Sequence, residues 1–220
     1  MKFNLTLFAV LLIGSLTAQV EAELEDLDAL TNYPANNVSD DDLIEAFYES
    51  FQPSNVGNMH VYASAQPDDD DFFNGEELGI EMRRLFSNRT KRGLGSRQPY
   101  AVAKIRGEAE QLFLMRHPDR QGNPSIVLYD LRNGSVDPVM TLATTKCRTN
   151  GSCQQTDSWI QDVDGDTRLD IIQKRGTVRD GSVMRERTMV YRQFEDGSFR
   201  RDRSLEREVD ADSYRMEMMR

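Results

Sequence analysis

The chain has 220 residues, enough for one ordinary domain with extensions, and a formal net charge of −10. No segment after the N-terminal stretch is apolar enough to span a bilayer as a helix. Two cysteines without a CxxC spacing, and two histidines remote from them in sequence, exclude a recognisable zinc site.

Residues 1–22 read as a secretory signal. Lys2 supplies the positive start, Leu5 to Leu16 is mostly apolar, and Val20-Glu21-Ala22 offers modest side chains for cleavage. An apolar run of this length is short for a membrane anchor. No cysteine lies near the cleavage position, which argues against a bacterial lipoprotein. The mature protein is therefore expected to be secreted or periplasmic, with no transmembrane anchor.

Charge is segregated along the chain. Glu23 to Met82 holds sixteen acidic residues and no lysine or arginine, whereas Arg83 to Arg220 holds twenty acidic and twenty-six basic residues. Such blocks mark weakly ordered tails. Residues 23–97 are expected to form a largely disordered acidic arm containing short helices. Ser39 can cap a helix whose first turn is Asp40-Asp41-Asp42, with Leu43, Ile44, Phe47, Tyr48 and Phe51 on one side. A second helix is expected from Asn74 or Gly75, carrying Leu78, Ile80, Met82, Leu85 and Phe86. Arg89-Thr90-Lys91-Arg92 followed by Gly93-Leu94-Gly95-Ser96 reads as a basic flexible hinge. It resembles a furin-type processing site, which would give the arm the role of a pro-segment.

From residue 98 to 220 the texture is β. Short runs with β-branched and aromatic content occur at Tyr100–Arg106, Gln111–Arg116, Ile126–Leu131, Val139–Thr145, Thr156–Asp162, Leu169–Lys174, Arg185–Phe194 and Ser198–Arg203. Turn signals such as Asn133-Gly134, Asp180-Gly181 and Asp196-Gly197 separate them. The expected fold is mainly β, an antiparallel meander of about eight strands. Two propeller-like blades, a barrel and a sandwich all remain open. Cys147 and Cys153 flank Asn150-Gly151, so an exported chain should staple this hairpin tip with a disulfide.

The most specific motif is DVDGDTRLDII, from Asp162 to Ile172. Asp162, Asp164, Asp166 and Asp170 crowd four carboxylates into one tight loop, and a hard divalent cation relieves their repulsion. Calcium takes six to eight oxygens at about 2.3–2.6 Å in a flexible cage. The backbone carbonyl of Arg168 can supply a further ligand, and Asp170 can ligate directly or through water. The alternative is an acidic solvated turn between two strands. An EF-hand is ruled out, because Thr167 and Gln173 stand where Gly and Glu are required.

This strand, aspartate loop and strand, at about 156–175, resemble one copy of the FG-GAP or VCBS-type repeat of integrin-alpha-like propellers. The resemblance implies a calcium loop between the first two strands of a blade. The family usually has Gly at position six, where φ tends to be positive, and this chain has Thr167.

Catalytic groups are not recognisable. Neither histidine has an evident partner, Asp130, Asp137 and Asp157 show no informative spacing, and phosphate-cradling glycine loops are absent. Arg185, Arg187, Arg192, Arg200, Arg201 and Arg203 offer a basic face, but the interleaved Glu186, Glu195 and Asp202 argue against nucleic acid. The resulting expectation is an exported calcium-binding β-rich interaction module whose partner is a protein or cell-surface ligand. The alternatives are a secreted hydrolase and an accessory protein with an acidic pro-segment.

Overall fold

All eight expected strands are present in the computed structural model, and they pair in chain order. The structure describes residues 39–54, 58–64, 71–106, 111–119 and 121–216; the expected signal segment lies outside them. Three short strands come first: β1 (Gln52–Ser54), β2 (Met59–Val61) and β3 (Glu76–Glu77). The meander follows as β4 (Tyr100–Arg106), β5 (Gln111–Pro118), β6 (Pro124–Arg132) and β7 (Ser135–Cys147). It continues as β8 (Cys153–Gln161), β9 (Asp170–Arg179), β10 (Ser182–Gln193) and β11 (Phe199–Arg201). Neighbours from β4 to β11 are antiparallel.

The hairpin turns follow the backbone requirements of their residues. Arg132 pairs with Ser135 across Asn133 (φ 52°) and Gly134 (φ 73°). Arg179 pairs with Ser182 across Asp180 (φ 49°) and Gly181 (φ 72°). Two central residues with positive φ make a turn whose twist matches that of the strands. Cys147 and Cys153 are register partners and form the expected disulfide.

The sheet has eleven strands, is mixed, and does not close into a barrel. Strand β7 changes partner along its length. Residues 135–144 pair with β6, and Thr144 to Cys147 pair with β8. Register shifts beside Ile126 and Tyr129 bend the ladder, and Pro138 sits at the second of them, where a missing N–H is tolerated. Where β7 leaves β8, β2 takes its place against Ser158, Trp159 and Ile160. β1 runs parallel to β4, and β3 pairs with the start of β4, so the short strands cover backbone that the meander leaves unpaired.

For the described residues from Asp40 to Arg97 these pairings replace the expected arm; residues 23–38 of it lie outside the described residues. One compact unit spans Asp40–Arg220, so the boundary near residue 98 is not a domain boundary. Helix α1 (Asp40–Glu49) starts immediately after Ser39 and buries Leu43 and Phe47. Phe47, Phe51, Phe86 and Phe113 pack as one aromatic cluster, with Phe47 to Phe113 ring centroids 5.0 Å apart. Few apolar residues are present in this segment, but Leu43, Phe47, Phe51, Leu78, Leu85 and Phe86 are buried and outweigh its acidic composition.

The second expected helix is replaced by a 3-10 turn at Phe72–Asn74, β3, and another at Ile80–Leu85. Gly75 (φ 65°) lies against β4, where a Cβ would come within 2.3 Å of the Ala101 carbonyl oxygen. This backbone approach serves strand pairing and is incompatible with a helix through Gly75. The expected flexible hinge is helix α2 (Asn88–Leu94), capped by Ser87 Oγ on the Thr90 N–H. Thr90, inside the furin-like sequence, is buried and donates to Val136 O at 2.8 Å. Cleavage at this sequence would require the helix to unfold.

The β5–β6 connection shows how a single carboxylate fastens a loop. Asp119 accepts from the N–H groups of Gln121 and Asn123 and pairs with Lys146 Nζ at 2.8 Å. Burial raises its pKa, but the ion pair and hydrogen bonds outweigh that and hold it down at about 2. The folded pKa is below the unfolded one, so this stabilisation is complete above about pH 4 and disappears as pH falls toward 2. Asp119→Asn should cost about 1–2 kcal/mol at pH 7 and flatten the acid limb of a stability–pH curve between those limits. Urea melts at pH 7 and pH 3 check this, and an unchanged acid limb would contradict it.

Candidate metal centre at the 162–170 loop

The loop joins the end of β8 to the start of β9, where the apolar rows of both strands reach the core through Ile160 and Ile171. Its backbone is wound tightly by its own carboxylates. Asp162 Oδ1 accepts from Gly165 N at 2.7 Å, and Asp162 Oδ2 accepts from Thr167 N at 3.0 Å. Asp164 Oδ1 accepts from Asp166 N, and Asp166 Oδ1 accepts from Arg168 N at 2.9 Å. Gly165 (φ 76°) and Thr167 (φ 69°) both adopt left-handed backbone. Thr167 does so at the position where the repeat family has Gly, at a strain that β-branched residues meet there.

These turns bring Asp162, Asp164 and Asp166 together, with one carboxylate oxygen of each inside a 4.8 Å group. Asp162 and Asp164 are exposed and Asp166 is half-buried. Asp170 sits differently. It is fully buried; Oδ2 accepts from Val163 N at 2.9 Å, and Oδ1 has no hydrogen-bond partner. Burial, reinforced by the negative charges of Asp164 and Asp166, pushes its carboxyl up to about 6. The Arg168 guanidinium pairs with Glu195 at 3.2 Å.

No family model, curated protein or solved structure matches this chain.

Sequence reasoning missed the cation already at this loop. Arg192 Nη2 lies 2.5 Å from Asp164 Oδ2 and 2.9 Å from Asp166 Oδ2. The hydrogen bond from Arg168 N, followed by the Arg192 guanidinium, holds the Asp166 carboxyl below the usual carboxylate range. Arg192 reaches the loop because it pairs with Asp170 across β9 and β10. The Asp180-Gly181 turn alone would set Tyr191 opposite Asp170. A β-bulge between Met184 and Arg187 shifts the register by one residue and delivers Arg192 instead.

Both histidines also have partners. His117 Nε2 and Tyr129 Oη are 2.9 Å apart, and His60 Nε2 lies 3.1 Å from Asp157 Oδ2. Asp157 is fully buried and also accepts from Gln155 Nε2. A carboxylate–imidazole pair is two parts of a nucleophilic triad. Here the His60 ring stacks on Trp159 at 4.3 Å, and no hydroxyl among the described residues hydrogen-bonds to it. The pair fastens β2 to β8, where His60 is the register partner of Trp159.

Proposed function

We propose that residues 162–170 bind one calcium ion, and that the protein is an exported, calcium-stabilised β-rich interaction module in which the metal is structural. The observation that carries this reading is Asp170 Oδ1, a buried carboxylate oxygen without a partner beside three clustered carboxylates. An unpaired buried charge is costly, and a divalent cation removes that cost. Asp162, Asp164, Asp166 and Asp170, with the Arg168 carbonyl and water, reach the six or more oxygens that calcium takes. An irregular set of carboxylate, carbonyl and water oxygens suits calcium better than magnesium, which requires a stricter octahedron. Export rests on the signal-like residues 1–22 and agrees with the Cys147–Cys153 disulfide. Among the described residues no helix is long and apolar enough to cross a membrane. The partner in this reading is a protein or cell-surface ligand.

A second reading is favoured by Arg192: the loop is an acidic turn neutralised by one guanidinium and needs no metal. The two readings differ in what Arg192→Gln does. In the calcium reading the guanidinium, 35% exposed, swings aside when the ion binds and opposes it by charge. Arg192→Gln then lowers the melting temperature in chelator, and calcium raises it by more than in the unsubstituted chain. In the neutralised-turn reading the substitution lowers the melting temperature equally with calcium and with chelator.

A further inference from the structure

A second polar site lies further along the same strands. A cleft of about 470 Å³ opens over β7, β8, β9 and β10, lined by Lys146, Arg175, Arg185 and Arg187. No carboxylate and no aromatic ring lines it among the described residues. Its centre is built by strand register. Thr144, Thr156, Arg175 and Arg187 are successive partners across the four strands, and directly paired residues point to one face.

Two details prepare this face for a ligand. Arg175 is held from below by Gln173, which is fully buried. Gln173 Oε1 accepts from Arg175 Nε at 3.0 Å and from Nη2 at 2.7 Å. The Gln173 amide is itself oriented, because its Nε2 donates to Thr141 O at 2.9 Å. The guanidinium is thereby fixed, with its remaining N–H groups uncommitted to Gln173. The second detail is Arg185, which has φ 53° and sits in the bulge of β10. Positive φ is uncommon for a residue with a long side chain, and bulges re-aim side chains. This one places Arg185 on the rim of the cleft beside Arg187, and neither arginine has an ion pair among the described residues. Lys146 is paired with Asp119, so the charge left for a ligand comes from the three arginines, of which Arg187 also feels the Glu206 carboxylate.

We propose that this cleft binds a small ligand carrying two or more phosphate or sulfate groups. Arg175, Arg185 and Arg187 would take its oxyanions, and the hydroxyls of Thr144 and Thr156 would donate to the remaining oxygens. Planar guanidinium forks match tetrahedral oxyanions, and charge-assisted hydrogen bonds of this kind are the strong ones. The volume falls within the range of small-ligand pockets, about 300–1,000 Å³, and exceeds what one oxyanion fills. Without an aromatic wall there is no platform for base stacking, which separates this site from a single-stranded nucleic-acid groove.

The test is calorimetric titration of the full chain with inorganic pyrophosphate and, separately, with a disulfated disaccharide. Chelator is present at fixed ionic strength, so the 162–170 loop plays no part. One molecule per chain is expected to bind. Arg185→Gln and Arg187→Gln, both at exposed positions, should each weaken binding about tenfold or more. Arg200→Gln, which breaks a surface pair with Asp196, should leave binding unchanged. Binding of pyrophosphate alone assigns a phosphate ligand, and binding of the disaccharide alone assigns a sulfate ligand. Comparable binding of both assigns recognition of the shared tetrahedral charge. No binding of either probe at millimolar concentration, or equal weakening by Arg200→Gln, would overturn the proposal.

Discussion

Replacing Phe47 by alanine is expected to destabilise the protein by about 3–5 kcal/mol. The side chain has no exposed surface and contacts Phe51, Phe86 and Phe113, so its removal leaves a cavity that three rings cannot close. The melting temperature should fall by roughly 6–20 °C. Phe72→Ala is the comparison: this ring is 43% exposed, and its loss should cost about 1 kcal/mol or less. The same packing predicts that trypsin spares Arg83–Arg97 in the native chain and releases no stable fragment beginning near residue 98. A loss below 1 kcal/mol for Phe47→Ala, measured by urea denaturation, would make residues 40–54 an accessory tail after all.

The second large effect is an inversion. In chelator, Asp170→Asn should stabilise the chain by about 1–2 kcal/mol, because it removes a buried carboxylate lacking a partner on Oδ1 and repelled by Asp164 and Asp166. The asparagine carbonyl can still accept from the Val163 N–H. In calcium at a hundredfold excess over Kd the order reverses. The unsubstituted chain gains about 2.7 kcal/mol, since binding to the native state alone adds RT ln(1 + [L]/Kd). The variant loses its charged ligand and most of that gain. Differential scanning calorimetry in both conditions reads the two orders. A variant less stable than the parent in chelator would show that Asp170 is satisfied without metal.

Local chemistry was legible in the sequence and distant pairing was not. The meander could be read because each strand is bounded by its own turn residues, with Asn133-Gly134 and Asp180-Gly181 supplying the positive φ that their hairpins require. The disulfide was equally local, whereas a β-branched Thr167 gives no local sign of the positive φ it adopts. Strands β1 to β3 were hidden for two reasons. They are two or three residues long, and they pair with strands far along the chain, such as Gln52 with Ala103 and His60 with Trp159. Composition misled in the acidic segment, where Asp and Glu outnumber the few phenylalanines that fix it to the core. Arg192 escaped notice because its approach to the loop depends on one bulged residue more than one turn of chain away. The same bulge sets Arg185 beside Arg187, so a single extra residue in β10 shapes both the loop and the cleft.

Direct calorimetric titration of the chelator-stripped chain tests most plainly whether the 162–170 loop holds a calcium ion. One calcium per chain is expected, with weaker binding of magnesium and loss of the signal in Asp164→Ala but not in Asp180→Asn, a change at an exposed turn outside the loop. Absence of calcium heat in the unsubstituted chain, together with no bound metal by elemental analysis, would contradict it and leave the Arg192 guanidinium as the counter-ion of Asp164 and Asp166.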